Sequence, residues 1–220
     1  MKAAVYEGVG QVRIVDLPVP KPGPNDVLVK VVAASICGTD LSEYHLTNSG
    51  AIQPGSEFGH EFAGKVVETG SEVTGISEGM RVTVNPMTAT SGGMMNACMV
   101  GGFSQYVLVE DAAVGYNIYP LPERLSYDDG ALTEPFSVGM GGVNTAETQT
   151  TDRALILGAG PIGMGALAGM KALGVENVVV SDISEFRLQK ARELGADAVH
   201  NPRKVPLEEF LKEWYGESSS

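Results

Sequence analysis

The chain has 220 residues, with 27 acidic against 15 basic side chains and a formal net charge of −12. Apolar residues make up 43% and charged ones only 19%, which excludes an intrinsically disordered chain and leaves room for one large core or two small ones. The acidic excess repels nucleic acid and anionic lipid, no apolar stretch approaches the ~20 residues of a membrane helix, and residues 1–8 do not resemble a signal peptide, so a cytoplasmic protein is expected.

Residues 2–6, 12–17, 26–34, 61–69, 81–84 and 105–108 read as short strands. Turn signals such as Lys21-Pro22-Gly23-Pro24-Asn25 and Ser77-Glu78-Gly79 separate them. A β-rich, barrel-like domain over residues 1–148 is expected. Beyond Thr151 the rhythm changes to strand (153–157), glycine turn, helix (162–173), strand (177–181), helix (184–194) and a weak third strand (198–200). That is the βαβ pattern of a parallel sheet, and it places a second domain, an incomplete Rossmann fold, at residues 149–220. Gly174 and Gly195 stand where helix C-terminal glycines belong, and Ser184 is placed to cap the second helix. After Pro206, the spacing of Leu207, Phe210, Leu211 and Trp214 predicts a short amphipathic helix, followed by a frayed tail over 216–220. The fold class is therefore α/β with a β-rich N-terminal part.

The strongest chemical signal is Gly158-Ala159-Gly160-Pro161-Ile162-Gly163, between a strand and a helix. In a nucleotide-binding turn the first glycine permits the sharp bend and the second lets backbone approach a pyrophosphate. The third allows helix and strand to pack closely, while the helix N-terminus offers free N–H groups to the phosphates. Asp182 ends the next strand, where an acid accepts hydrogen bonds from the adenosine ribose hydroxyls and repels a 2′-phosphate. NAD is expected over NADP. Arg187, one turn into the following helix, lies over the adenine or is a solvated helix charge; the sequence leaves both open.

A second constellation is Cys37-Gly38-Thr39-Asp40, Gly59-His60-Glu61 and Glu134-Pro135. Singly, Cys37 reads as a small buried hydrophobe and His60 as a satisfied imidazole. Together they supply a thiolate, an imidazole and carboxylates, the donor types of a catalytic zinc site with an open position. Zinc in such a site polarises an alcohol oxygen and acidifies its proton, so that hydride can leave the adjacent carbon.

In the order and spacing of these motifs, together with Gly101-Gly102-Phe103-Ser104-Gln105-Tyr106 and Thr133-Glu134-Pro135-Phe136, the chain resembles the zinc-dependent medium-chain alcohol dehydrogenases, most closely their polyol, sorbitol and butanediol branch. The resemblance implies a GroES-like β-barrel domain joined to a Rossmann domain. It implies an oxidoreductase that moves hydride from a secondary alcohol or polyol to NAD. By resemblance Cys37 and His60 are zinc ligands, Glu134 takes the third position, and Glu61 is an alternating ligand or an outer carboxylate. Thr39 matches the hydroxyl that passes the substrate proton outward. A homo-oligomer is compatible with the family.

Three departures stand out. Only Cys98 lies in the segment 85–101, where many relatives carry a four-cysteine lobe, so one catalytic zinc and no structural zinc is expected. Met87, Met94, Met95 and Met99 in that segment read as adaptable packing, with an oligomer contact or a substrate mouth as the alternative. Ser42 and Gly141 stand where relatives often have histidines, which leaves water or His45 for proton exit. Finally, only about half a Rossmann domain is present, and the segment that returns to finish the β domain in the family is missing. The sequence thus reads as part of a longer enzyme, or as a truncated chain that binds zinc or nucleotide without catalysis, or assembles with a partner. A zinc-free reductase of the same superfamily is disfavoured by the Cys and His-Glu motifs.

Overall fold

The computed structural model describes residues 1–46, 50–89 and 97–216. The chain forms two compact units, Met1–Glu134 and Pro135–Ser220. In the first, β1 (Lys2–Gly8), β2 (Gln11–Asp16), β3 (Val27–Ser35), α1 (Gly38–His45), β4 (Ser56–Glu57), β5 (Glu61–Thr69), β6 (Arg81–Val84), β7 (Tyr106–Val109), β8 (Ile118–Pro120) and α2 (Tyr127–Ala131) follow one another. The strands form two antiparallel sheets, β2-β1-β4 and β7-β3-β5-β6-β8. Backbone bonds from Ala4 to Phe103 and from Gln105 to Lys2, at 3.2 and 3.0 Å, stitch the sheets together. Val27, Val29, Phe62, Val66, Val82 and Ile118, none more than 1% exposed, fill the interior of the larger sheet. Burying such side chains contributes roughly 1.5–3 kcal/mol each.

All six expected strands of this unit are present, within one or two residues of their expected ends. The helices are what a purely β reading leaves out. At the head of α1 the Asp40 carboxylate accepts the Cys37 N–H at 2.9 Å, stabilising the first turn. A reciprocal cap starts α2: Asp129 N–H donates to Ser126 Oγ at 3.1 Å while the Asp129 carboxylate accepts Ser126 N–H at 2.8 Å.

The helix α3 (Thr133–Thr145) crosses the boundary between the units. In the second unit β9 (Arg153–Leu157), α4 (Pro161–Leu173), β10 (Asn177–Ser181), α5 (Glu185–Glu193), β11 (Ala198–His200) and α6 (Leu207–Tyr215) form a parallel sheet, ordered β11-β10-β9, with its helices. Ile156, Leu167, Val178 and Val180 make its core. Ser184 Oγ accepts the Arg187 N–H at 3.4 Å, and Gly174 ends α4 in the left-handed region, as their sequence positions lead one to expect. Leu157 on the edge strand β9 is 71% exposed. Phe210 of α6 rests against the His200 ring at 4.9 Å, and Trp214 stays 42% exposed. Residues 217–220 of the expected tail lie outside the described residues. No helix among the described residues is long and apolar enough to cross a membrane.

Candidate zinc and nucleotide sites

The pairing of β3 with β5 sets Ser35 directly opposite Glu61. Two residues after Ser35 the chain turns into α1 with Cys37 as its cap residue, and His60 immediately precedes Glu61. The Gly59 N–H donates to the Cys98 carbonyl at 3.1 Å and the Gly59 carbonyl accepts from Gly102 N–H at 2.8 Å, which fixes the approach of the chain to His60. As a result the Cys37 thiol, a His60 ring nitrogen and a Glu61 carboxylate oxygen all lie within 4.8 Å of one another. His60 is 6% and Glu61 5% exposed, and Cys37 is half-buried.

The electrostatics are those of a crowded acidic pocket. Burial is the largest single influence on His60 and acts to lower its pKa, but the hydrogen bond to Cys37 and the fields of Cys37, Asp40 and Glu134 outweigh it, so the net shift is upward. Burial pushes Glu134 up, with His60 opposing and Glu61 adding to the rise. Burial likewise raises Asp40. The Cys98 thiol is raised by burial first, then by the charges of Asp40, Cys37, Glu43 and Glu134. Two buried atoms, His60 Nδ1 and Asp40 Oδ1, have no hydrogen-bond partner among the described residues. Orphaned polar atoms beside a converging thiol, imidazole and carboxylate fit a cation better than a closed protein network.

In the second unit, the turn after β9 delivers the glycines to the head of α4, where Gly160 is the cap residue without a side-chain bond and Pro161 occupies the first turn. A Cβ on Gly163 would sit 1.9 Å from the Gly158 carbonyl oxygen, so the third glycine is required by packing alone. A Cβ on Gly160 would meet nothing within 4 Å, which leaves that face open to a ligand. Asp182 accepts the Ala159 N–H at 2.8 Å and the Ser184 N–H at 2.7 Å. Desolvation raises its pKa, but these bonds and the Arg187 charge prevail, holding the carboxyl below the usual range. The glycine turn and Asp182 thus meet through the Ala159 N–H. Ile162 is 44% exposed at the head of the helix, and the Arg187 side chain is exposed.

Thr39 is half-buried in the first turn of α1, and Glu134, second residue of α3, acts on His60 through its charge. His45 and Met87 are exposed, the latter 69%. Met99 packs beside Tyr6, Ile52 and Phe58, and its sulfur accepts the Gln53 N–H at 3.4 Å. Met94 and Met95 lie outside the described residues. Sequence reasoning gave no role to Ser35, Asp40 or Cys98. For Asp40 a signal existed, because an acid three residues after a cap position is a capping pattern.

Two family models match in chain order: the alcohol dehydrogenase GroES-like domain over residues 23–123 and the zinc-binding dehydrogenase domain over residues 161–219. Sorbitol dehydrogenase of Bacillus subtilis is 34% identical over 96% of this chain, and (R,R)-butanediol dehydrogenase of the same organism is 37% identical over 93%. This chain spans 64% of the length of each. The crystal structure of 2R,3R-butanediol dehydrogenase from Bacillus subtilis superimposes with a TM-score of 0.83 at 34% identity, covering 98% of this chain and 67% of that one. The order of the two matched domains, the shared fold and the extent of identity establish that the chain belongs to the zinc-dependent medium-chain alcohol dehydrogenases, in their polyol-like branch.

Proposed function

We propose that this chain carries the zinc site and the adenosine half of the nucleotide site of an NAD-dependent dehydrogenase of secondary alcohols or polyols. The observation that carries the reading is the convergence of Cys37, His60 and Glu61 within 4.8 Å, in a chain that also sets Asp182 against the glycine turn. Residues 1–148 would form the zinc domain and 149–220 the partial NAD domain. Cys37 and His60 would be fixed ligands of one catalytic zinc, and Glu61 and Glu134 would share the remaining protein position. Bound zinc supplies the polarisation that acidifies an alcohol proton, and bound NAD supplies the hydride acceptor.

The chain's own groups do the rest. The turn of Gly158, Gly160, Pro161, Ile162 and Gly163 sets the head of α4 toward a pyrophosphate, with the N–H groups of Gly160, Ile162 and Gly163 as the donors, since the Gly158 N–H is held by the Ser181 carbonyl and proline has none. Asp182, already ionised by its backbone bonds, has lone pairs left for ribose hydroxyls and repels a 2′-phosphate. Thr39, next to the cluster in sequence, relays the substrate proton outward, helped by water because Ser42 and Gly141 replace histidines common in relatives. The test is zinc content together with NADH formation over a panel of polyols and diols. About one zinc per chain with NAD-linked turnover is the expected result.

A second reading, a chain that binds zinc or nucleotide without turnover or works only with a partner, is favoured by one observation: the parallel sheet of the second unit has three strands among the described residues, and β9 is an edge. Its signature is stoichiometric zinc and measurable nucleotide binding with no NADH formed.

A further inference from the structure

Ser181 and His200 are the only polar side chains buried in the second unit among the described residues, at 7% and 2% exposure, and they stand opposite each other in the β10–β11 pair. His200 Nε2 lies 2.8 Å from the Val205 carbonyl, which can only accept, so Nε2 donates and Nδ1 is left to accept the Ser181 hydroxyl at 2.9 Å. The imidazole thus ties the segment 201–205 to the last residue of β10, immediately before Asp182. Backbone reinforces the tie, since the Asp182 N–H donates to the His200 carbonyl at 3.1 Å. Ligands of an open parallel sheet bind outside the carboxyl ends of its strands, so this brace lies at the ribose end of the proposed nucleotide site.

The braced segment carries a cation to the same place. Lys204 Nζ sits 2.8 Å from a carboxylate oxygen of Glu185, three residues beyond Asp182. The Asn201 amide donates to that carboxylate and, at 3.4 Å, to the Ile183 carbonyl. The Lys204 and Glu185 side chains are 65% and 54% exposed, and an exposed pair contributes little by itself. The backbone of the segment therefore decides where the lysine rests. A loose ammonium beside Asp182 would attract a 2′-phosphate and offset the repulsion by which the acid selects NAD.

We infer that His200 is a positioning residue for cofactor discrimination: its bond to the Val205 carbonyl holds Lys204 on Glu185 and away from the ribose edge that Asp182 reads. The inference rests on the proposed nucleotide site and adds to it a buried residue that acts without touching the ligand.

The test is calorimetric titration of the full chain with ADP-ribose and with 2′-phospho-ADP-ribose, probes that need only the adenosine half of the site. Wild type should bind the first more tightly. His200→Ala should narrow that preference about tenfold, the scale of one lost hydrogen bond. His200→Gln, whose amide N–H replaces the Nε2 donor, should keep the preference, and His200→Asn, which reaches only Ser181, should not. Adding Lys204→Ala to His200→Ala should restore it. Glu185→Gln frees the same lysine without touching the core, so it should narrow the preference even where a His200 variant fails to fold. A merely structural histidine would weaken both probes alike. An unchanged ratio in folded His200→Ala, or in Glu185→Gln, would overturn the role of His200 and leave the nucleotide site standing. Failure of the wild type to bind either probe would overturn the site and the inference together.

Discussion

Asp182 Oδ2 accepts the Ala159 N–H at 2.8 Å, so the acid expected to read a ribose also ties the end of β10 to the glycine turn before any ligand arrives. Its other oxygen holds Ser184 N–H, the cap residue of α5. Asp182→Ala should therefore destabilise the second unit by about 1–3 kcal/mol, the scale of hydrogen bonds to a charged group, and weaken NAD binding at the same time. Asp182→Asn, which keeps one acceptor, should fall between. The native pKa is lowered, so the carboxylate stabilises the fold above its unfolded value of about 3.9, and that contribution is lost as pH falls through the native value. Acid denaturation followed by circular dichroism should show the gap between wild type and Asp182→Ala closing below about pH 4.

Gly163 and Gly160 answer to different constraints. A methyl group at Gly163 collides with the Gly158 carbonyl at 1.9 Å, whereas at Gly160 it meets open space. Gly163→Ala should lower stability by about 1–3 kcal/mol or more through forced backbone shifts. Gly160→Ala should melt like the wild type and lose affinity for NAD, because the backbone can no longer approach the pyrophosphate closely. Thermal melts and nucleotide titrations of both variants check the pair. Equal stability losses would mean that Gly160 is as structural as Gly163.

Asp40 links the start of α1 to the cluster of Cys37, His60 and Glu61. One carboxylate oxygen caps Cys37 N–H at 2.9 Å, and the other is buried without a partner among the described residues, within electrostatic range of His60. Asp40→Ala should cost roughly 0.5–2 kcal/mol as a lost cap. It should also weaken zinc binding by about 10–100-fold, since the fields and bonds around Cys37 and His60 relax together. Chemical denaturation gives the first quantity and chelator competition the second. Asp40→Asn should recover much of the stability while leaving zinc affinity reduced.

Most of the strands are legible because short apolar runs between turn residues have no other use: Glu61–Thr69, Arg81–Val84, Arg153–Leu157, Asn177–Ser181 and Ala198–His200 all fall where the sequence places them. The helices of the first 145 residues are not, and α3 shows why. Thr133 and Pro135 in its first turn and Gly139, Gly141 and Gly142 within it argue against a helix by propensity. Tertiary packing decides instead, because a Cβ on Gly139 would lie 2.5 Å from the Ala166 nitrogen and the Ile162 carbonyl oxygen of α4. The helix is glycine-rich so that α4 can come close. At the site, residue types and motif spacing reveal Cys37, His60 and Glu61, but the alignment of Ser35 with Glu61 depends on strand register, and that register includes irregularities near Val29 and Ala33 which no pattern of residues discloses.

The most direct test of the account is the zinc content of the extensively dialysed chain beside that of Cys37→Ser and His60→Ala, measured by plasma emission. The account predicts about one zinc per wild-type chain and nearly complete loss in both variants, because neither a hydroxyl nor a methyl group replaces a thiolate or an imidazole as ligand. Zinc absent from the wild type, or retained unchanged in the variants, would contradict it.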